Sequence, residues 1–216
     1  MKLYNSLGPN PRLVRMFMAE KGIELDKVEI DLMAGENRQE PYVSKNPAGE
    51  MPALELDDGS MLAETVAICE YLEERYPEPT LLGADPETRA KTRMWIRRVE
   101  LRVTNPMTDA FRSAEGLAMF KDRRHCVPHA ADDWKEIARE GLEWLDGQMA
   151  GRDYIAGDAL TLADLVAYNL LDFGAAVGQP VDPGLGNVQA WLARIAERPS
   201  AETSLHPVAK AAGMRG

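Results

Sequence analysis

The chain has 216 residues, of which 45% are hydrophobic and 28% are charged, and its formal net charge at pH 7 is -10. A chain of this length can bury one large core or two modest ones without the help of cross-links. The acidic balance excludes nucleic acid and anionic membrane surfaces as main partners, because both would repel it. Small molecules and other proteins remain as partner classes.

The chain contains two cysteines, Cys69 and Cys126, too few for a disulfide framework. The first residues, MKLYNSLGPN, include no long apolar stretch and do not resemble a signal peptide. No later run reaches the length that a membrane-spanning helix requires. We therefore expect a cytoplasmic protein in a reducing compartment.

Strand and helix signals alternate at the start of the chain. A short strand is predicted from Lys2 to Asn5, followed by the loop LGPNP. Apolar residues then recur at helical spacing, and Gly22 is a stop signal, which predicts a helix from about Pro11 to Lys21. Val28 and Ile30 alternate with charged residues and predict a strand with one solvated face.

A hairpin and a helix follow a polar stretch. Two apolar runs, Met51 to Leu56 and Ser60 to Leu62, flank Asp57-Asp58-Gly59, in which the glycine suits a tight turn. A helix is predicted from Glu64 to Arg75. The order strand, helix, strand, hairpin, helix is typical of an α/β layer that can fold as a unit.

The rest of the chain is predicted to be helical. Periodicity breaks at Tyr76-Pro77-Glu78-Pro79, which places the domain boundary between residues 1–82 and 83–216. Asp85-Pro86 predicts a capped helix start, and Asn105-Pro106 a kink or a break. The run Leu162 to Leu171 is apolar on nearly every face and predicts a buried central helix.

Proline in Met51-Pro52 stands at the start of a strand that must be central for the hairpin to join the sheet. Because proline cannot donate to a strand ladder, this position needs a special setting. An ordinary edge-strand proline is the simpler interpretation, and a trans peptide bond is the usual state of an isolated X-Pro pair.

The segment NPAGEMPALELDDGSMLAETVAICEYL, from Asn46 to Leu72, resembles the cytosolic glutathione S-transferases. The proline-bounded linker and the sequence GDALTLADL, from Gly157 to Leu165, extend the resemblance over nearly the whole chain. It implies a thioredoxin-like α/β domain at residues 1–82 and an all-α domain at residues 83–216. It also implies a detoxifying transferase of the EC 2.5.1.18 type, a homodimer, glutathione as co-substrate and an electrophile held between the domains.

The resemblance assigns the glutathione contacts to two short segments. Pro52 would follow a cis bond, and the backbone of Met51 would pair with the cysteinyl part of glutathione. Thr65, at a helix start, would bind the γ-glutamyl carboxylate, and Glu64 would pair with the ammonium group. Each feature also has a structural interpretation, because such residues commonly cap helices.

The residue that activates the glutathione thiol is assigned less clearly. A thiol of pKa near 8.5 is only about 3% ionised at pH 7, so the site must lower that pKa. Where many family members have serine or cysteine, this chain has Gly8. Asn10 and Ser6 are the candidate catalytic residues, with Tyr4 as a weaker one, and Asn10 serves equally well as a helix cap.

Two other functions remain open from the sequence. One alternative is a non-catalytic glutathione-binding or ligand-binding protein, because Gly8 stands where an activating residue is usual in the family. A glutathione-dependent reductase or peroxidase is the other alternative, although no cysteine precedes Cys69.

His125, Cys126 and His129 lie close together, but Pro128 interrupts them and no second ligand pair is evident, so we expect no metal. Thr161 and Asp164 are predicted to form a structural capping box.

Overall fold

The computed structural model describes residues 1–216 and divides into two compact units. The first comprises Met1–Thr80 together with Pro199–Gly216, and the second comprises Leu81–Arg198. The division near residue 81 lies close to the expected boundary. The C-terminal residues differ from the expectation of domains 1–82 and 83–216, because they pack against the first helix of the chain instead of the second unit.

The first unit is a four-stranded sheet with helices, and its strand order is β2-β1-β3-β4. β1 is parallel to β2 and antiparallel to β3, which is antiparallel to β4. In chain order the elements are β1 (Lys2–Asn5), α1 (Pro9–Lys21), β2 (Asp26–Glu29), a 3-10 turn (Glu36–Arg38), α2 (Tyr42–Lys45), β3 (Ala53–Glu55), β4 (Met61–Ala63), α3 (Thr65–Arg75), α10 (Pro199–Thr203) and α11 (Pro207–Ala211). With the helical second unit, this is the fold class that the sequence predicted.

The hairpin between β3 and β4 forms at the predicted turn. Gly59 has φ +84°, a left-handed conformation that glycine adopts without strain. The Asp58 carboxylate accepts hydrogen bonds from the backbone N–H of Ser60 at 2.9 Å and from its hydroxyl at 2.6 Å. The turn chemistry therefore fixes the register that pairs Ala53 with Ala63.

The two faces of the sheet carry different side chains because successive residues of a strand point in opposite directions. Tyr4 packs with Tyr42, Met51 and Ala53 in a cluster on one face. Asn5, the next residue, bonds to the helix α1 on the other face. β1 is thus covered on both sides, as its burial indicates.

The second unit contains the helices α4 to α9, and none of the helices in the structure has the length and hydropathy needed to cross a membrane. Their bounds are α4 (Pro86–Val99), α5 (Asn105–Ser113), α6 (Leu117–Phe120), α7 (Ala131–Gln148), α8 (Leu162–Ala176) and α9 (Gly186–Ala196), with a 3-10 turn at Pro128–Ala130. A π-helical turn, Glu100–Thr104, separates α4 from α5 at the predicted break.

Both predicted helix caps of this unit are present. Asp85 accepts the Thr88 N–H at 2.8 Å at the start of α4. Asp164 is fully buried in the first turn of α8 and accepts four hydrogen bonds, from the N–H and hydroxyl of Thr161, the N–H of Ile155 and the indole N–H of Trp191. Desolvation raises the pKa of Asp164, although these hydrogen bonds oppose the shift. The capping box is structural, as expected.

Candidate functional site

Three chain segments of the first unit meet at one edge of its sheet. The register aligns Tyr4 of β1 with Ala53 of β3, and Ala53 with Ala63 of β4. β1 ends at this edge, β3 begins there and β4 ends there. Three segments therefore lie side by side at this edge: the loop into α1, the Met51-Pro52 segment and the start of α3. Neighbouring strands of a sheet are about 4.8 Å apart.

The first of these segments begins α1 with few hydrogen-bond donors. Gly8 is the N-cap, with φ +115°, and both Pro9 and Pro11 lack an N–H. The N–H of Arg12 is bonded to the Gly8 carbonyl at 3.1 Å. The N–H of Asn10 is consequently the one backbone donor that the first turn leaves free for a ligand.

Asn10 lies inside the helix and is exposed. The predicted start at Pro11 was two residues late, and the interpretation of Asn10 as a helix cap was wrong because Gly8 takes that position. Proline is tolerated at the first positions of a helix, so the two prolines allow α1 to begin earlier. The Asn10 side chain makes no capping hydrogen bond, and its amide remains available.

Ser6 and Tyr4 are placed differently from Asn10. The buried Ser6 hydroxyl donates to the Ile30 carbonyl at 2.7 Å, which joins the ends of β1 and β2. The Tyr4 hydroxyl donates to Glu55 Oε2 at 2.8 Å. Because Glu55 pairs with Lys2, that bond points toward the opposite edge of the sheet. Of the three candidates, Asn10 alone offers an unengaged donor at this edge.

The second segment is the cis peptide Met51-Pro52. Met51 lies outside the β3 ladder, whose register begins at Ala53, so its backbone N–H and C=O take no part in the sheet. The Met51 side chain is buried in the cluster that it forms with Tyr4, Tyr42 and Ala53. The Met51 backbone is therefore free of sheet hydrogen bonds at the position where the resemblance places the cysteinyl part of glutathione.

The third segment is the start of α3. Glu64 has φ +69° and is the only residue other than glycine with a positive φ. Such a conformation carries strain of about 1–3 kcal/mol and is concentrated at ligand sites. The exposed Glu64 side chain makes no capping bond, and the first turn contains no acidic residue. The N–H groups of the first turn and the Thr65 hydroxyl are thus available to an anion.

Two models of known protein families match this chain. Residues 1–74 match the model of the glutathione S-transferase N-terminal domain, and residues 117–199 match that of the C-terminal domain. Glutathione S-transferase 2 of Saccharomyces cerevisiae is 32% identical over 205 residues, which cover 92% of this chain and 86% of the yeast protein.

The chain belongs to the glutathione S-transferase family.

Two further similarities extend this result. A crystal structure of a glutathione S-transferase domain-containing protein from Marinobacter aquaeolei VT8 superposes with a TM-score of 0.87 at 36% identity, covering 93% of this chain and 99% of that one. A maleylacetoacetate isomerase from Pseudomonas aeruginosa is 44% identical over 96 residues, 43% of this chain and 45% of the isomerase. Family members thus include an isomerase as well as transferases.

The edge of the sheet has the dimensions of the family's tripeptide. An extended chain spans about 3.4 Å per residue, so glutathione is about 10 Å long. The distance from β1 across β3 to β4 is two strand spacings, also about 10 Å. An extended ligand of this length can therefore reach from the start of α3 to the start of α1.

Sequence reasoning missed two arginines of α1. Arg12 and Arg15 are buried, with exposed fractions of 0% and 8%, and both reach the C-terminal segment of the chain. Their positions within the apolar stretch of α1 were the available signal, because arginine is rarely buried without partners. Their partners are distant in sequence and could not be identified from it.

Proposed function

We propose that this glutathione S-transferase family member ionises glutathione beside Asn10 and transfers the thiolate to an electrophilic, largely apolar small molecule. The observation that supports the proposal is the meeting of three segments at one sheet edge, with Asn10 exposed and unengaged at one end and the free start of α3 at the other. Family membership and the yeast relative support glutathione transferase chemistry in general.

Each segment takes one part of glutathione. The α3 N-terminus and the Thr65 hydroxyl bind the γ-glutamyl carboxylate, and Glu64 pairs with the ammonium group. The Met51 backbone pairs with the cysteinyl residue. The Asn10 amide and N–H donate to the sulfur, which favours the thiolate over the thiol and lowers its pKa.

The reaction then needs no acid from the protein at the sulfur. The thiolate electron pair forms a bond to the electrophilic carbon, and the leaving group departs with the electron pair of its own bond. The proton lost from the thiol on binding passes to solvent. For an activated alkene the same attack gives an addition product, and the resulting carbanion takes a proton from solvent.

The test is an ultraviolet titration of the thiolate in the complex, together with turnover of an aryl chloride, an activated alkene and an isomerisable cis-enedione. We expect the pKa of the bound thiol to fall by at least one unit and thioether product to form. Tight glutathione binding with a thiol pKa equal to that in solution contradicts the proposal.

That contradicting result would favour the alternative of a non-catalytic glutathione-binding protein. The specific observation behind this alternative is the start of α1, where Pro9 and Pro11 remove two N–H groups that could otherwise stabilise a thiolate. Binding through the Met51 backbone and the start of α3 does not depend on them.

Reductase or peroxidase chemistry is the remaining alternative, and it would rely on glutathione as the nucleophile. Cys69 is fully buried, and burial raises the pKa of its thiol, which disfavours attack by this residue. Under every catalytic proposal, activity survives in the double variant Cys69→Ala, Cys126→Ser. We also propose a homodimer, and light scattering measures the molar mass in solution.

A further inference from the structure

Arg15 lies directly beneath the loop that leads from β1 into α1. Its Nη1 donates to the Ser6 carbonyl at 2.8 Å and to Asn5 Oδ1 at 2.7 Å. Its Nε donates to the Ser204 carbonyl at 2.7 Å. All three acceptors are neutral oxygens, and Nη2 is buried without a partner.

A buried guanidinium without an ion pair is unusual, because the desolvation of its charge is uncompensated. Burial lowers the pKa of Arg15 to about 10, with Glu29 opposing and Arg12 reinforcing the shift. The group is still protonated at neutral pH. A positive charge is therefore held close to the start of α1, where Asn10 is exposed.

The partners of Arg15 extend into a network that reaches the C-terminal segment, residues 199–216. Asn5 Nδ2 donates to Glu29 Oε1 at 2.6 Å, and Glu29 Oε2 lies 3.2 Å from His206 Nε2. The Val208 N–H lies 3.3 Å from His206 Nδ1. The ends of β1 and β2, the helix α1 and the C-terminal segment are thus joined through side chains.

Arg12 adds a second set of contacts to the same segment. Its Nη2 donates to the Ala201 carbonyl at 2.8 Å, and its Nη1 to the Arg215 carbonyl at 3.2 Å. Gly216 lies against the start of α1, where a Cβ would be 3.1 Å from the Cα of Gly8. The C-terminal segment consequently packs on the N-cap of the helix that carries Asn10.

We propose that Arg15 is a positioning residue for thiol activation, and that residues 199–216 are a structural part of the thiol site. This inference rests on the proposed function. Arg15 holds the Ser6 carbonyl and the C-terminal segment at the same time, which fixes the loop from Ser6 to Gly8 and with it the direction of the Asn10 donors. Its charge adds to the positive end of α1 and favours a thiolate.

The test compares the variants Arg15→Gln and Arg15→Lys with the unmodified protein. For each protein, the pKa of the bound glutathione thiol is measured by a pH titration of the thiolate absorbance. The Kd of S-methylglutathione is measured by calorimetry. In Arg15→Gln we expect the thiol pKa to rise by about one unit, a tenfold change in the ionisation constant. The Kd of S-methylglutathione, which has no ionisable thiol, should change less than about twofold.

Arg15→Lys keeps the charge but loses the planar fork that reaches two carbonyls. We expect its thiol pKa to lie measurably above that of the unmodified protein and below that of Arg15→Gln. If Arg15→Gln does not fold, Arg15→Lys carries the test, and a thiol pKa equal to that of the unmodified protein overturns the inference.

Lys21→Met is the matched control, because Lys21 is a buried cation at the opposite end of α1, bonded to Glu73 and the Pro79 carbonyl. It should leave the thiol pKa unchanged. A shift in Lys21→Met as large as that in Arg15→Gln would overturn the inference by showing a general effect of lost stability.

Arg12→Lys tests the role of the C-terminal segment. Amide exchange of residues 199–216 should become faster, and the thiol pKa should rise by a smaller amount than in Arg15→Gln. Faster exchange with an unchanged thiol pKa would overturn the assignment of the segment to the site. Failure of the unmodified protein to bind glutathione or to lower its thiol pKa would instead contradict the proposed function.

Discussion

Replacing Thr65 by valine should weaken glutathione binding without weakening the fold. Valine has nearly the shape of threonine, and the Thr65 hydroxyl makes no hydrogen bond within the protein. The two residues have similar helix propensities. We therefore expect the free energy of unfolding to change by less than about 0.5 kcal/mol.

The expected loss in binding follows from the proposed hydrogen bond to the γ-glutamyl carboxylate. A hydrogen bond to a charged group contributes about 1.5–3 kcal/mol. At about 1.4 kcal/mol per factor of ten, the Kd for glutathione should rise about 10- to 150-fold. The N–H groups at the start of α3 remain in the variant, so binding should be weakened and not abolished.

Isothermal titration calorimetry measures the Kd, and urea denaturation measures the stability of the same samples. Thr65→Ser is the matched control, because it keeps the hydroxyl and should bind within about threefold of the unmodified protein. A Thr65→Val protein that binds glutathione as tightly as the unmodified one would refute the placement of the γ-glutamyl carboxylate at α3.

Three further changes test the catalytic group and the packing of the second unit. Asn10→Ala should raise the pKa of the bound thiol and lower kcat/KM about tenfold or more, whereas full activity in Asn10→Ala with an inactive Ser6→Ala would move the role to Ser6. Asp164→Ala should destabilise the protein by about 3 kcal/mol or more in urea denaturation, because it leaves buried N–H groups without acceptors; a loss below about 1 kcal/mol would contradict the importance of this cap. Gly141→Ala should destabilise by about 1–3 kcal/mol, since its Cβ would lie 2.0 Å from a carbonyl oxygen of the π-helical turn. Gly147→Ala in the same helix meets nothing within 4 Å and should stabilise by up to about 1 kcal/mol, and equal thermal shifts for the two variants would disprove the close approach.

Local signals in the sequence were sufficient for several of the elements and for some of their ends. The strand from Lys2 to Asn5, the turn at Gly59 and the caps at Asp85 and Asp164 depend on residues within four positions of one another. Turn and capping preferences operate over that range, so they can be recognised without knowing the fold. The start of α1 was predicted two residues late because Pro9 and Pro11 are both compatible with the first turn of a helix.

The candidate glutathione contacts Met51, Glu64 and Thr65 were assigned by the family resemblance and remain a prediction. Their meeting at one edge of the sheet with the start of α1 was decided by the strand register, in which β1 pairs with β3 across about 50 positions of the chain. The preference for Asn10 over Ser6 and Tyr4 likewise depended on tertiary hydrogen bonds, because the Ser6 and Tyr4 hydroxyls are engaged by Ile30 and Glu55.

The contribution of the C-terminal residues is the part that only the tertiary structure decided. Composition and periodicity assigned residues 199–216 to a helical second domain, and nothing in that segment indicates a contact with α1. Its carbonyl groups bind Arg12 and Arg15, which are nearly 190 residues away. Backbone carbonyls are the same in every residue and leave no mark on the sequence, so this contact appears only when the folded chain brings the two segments together.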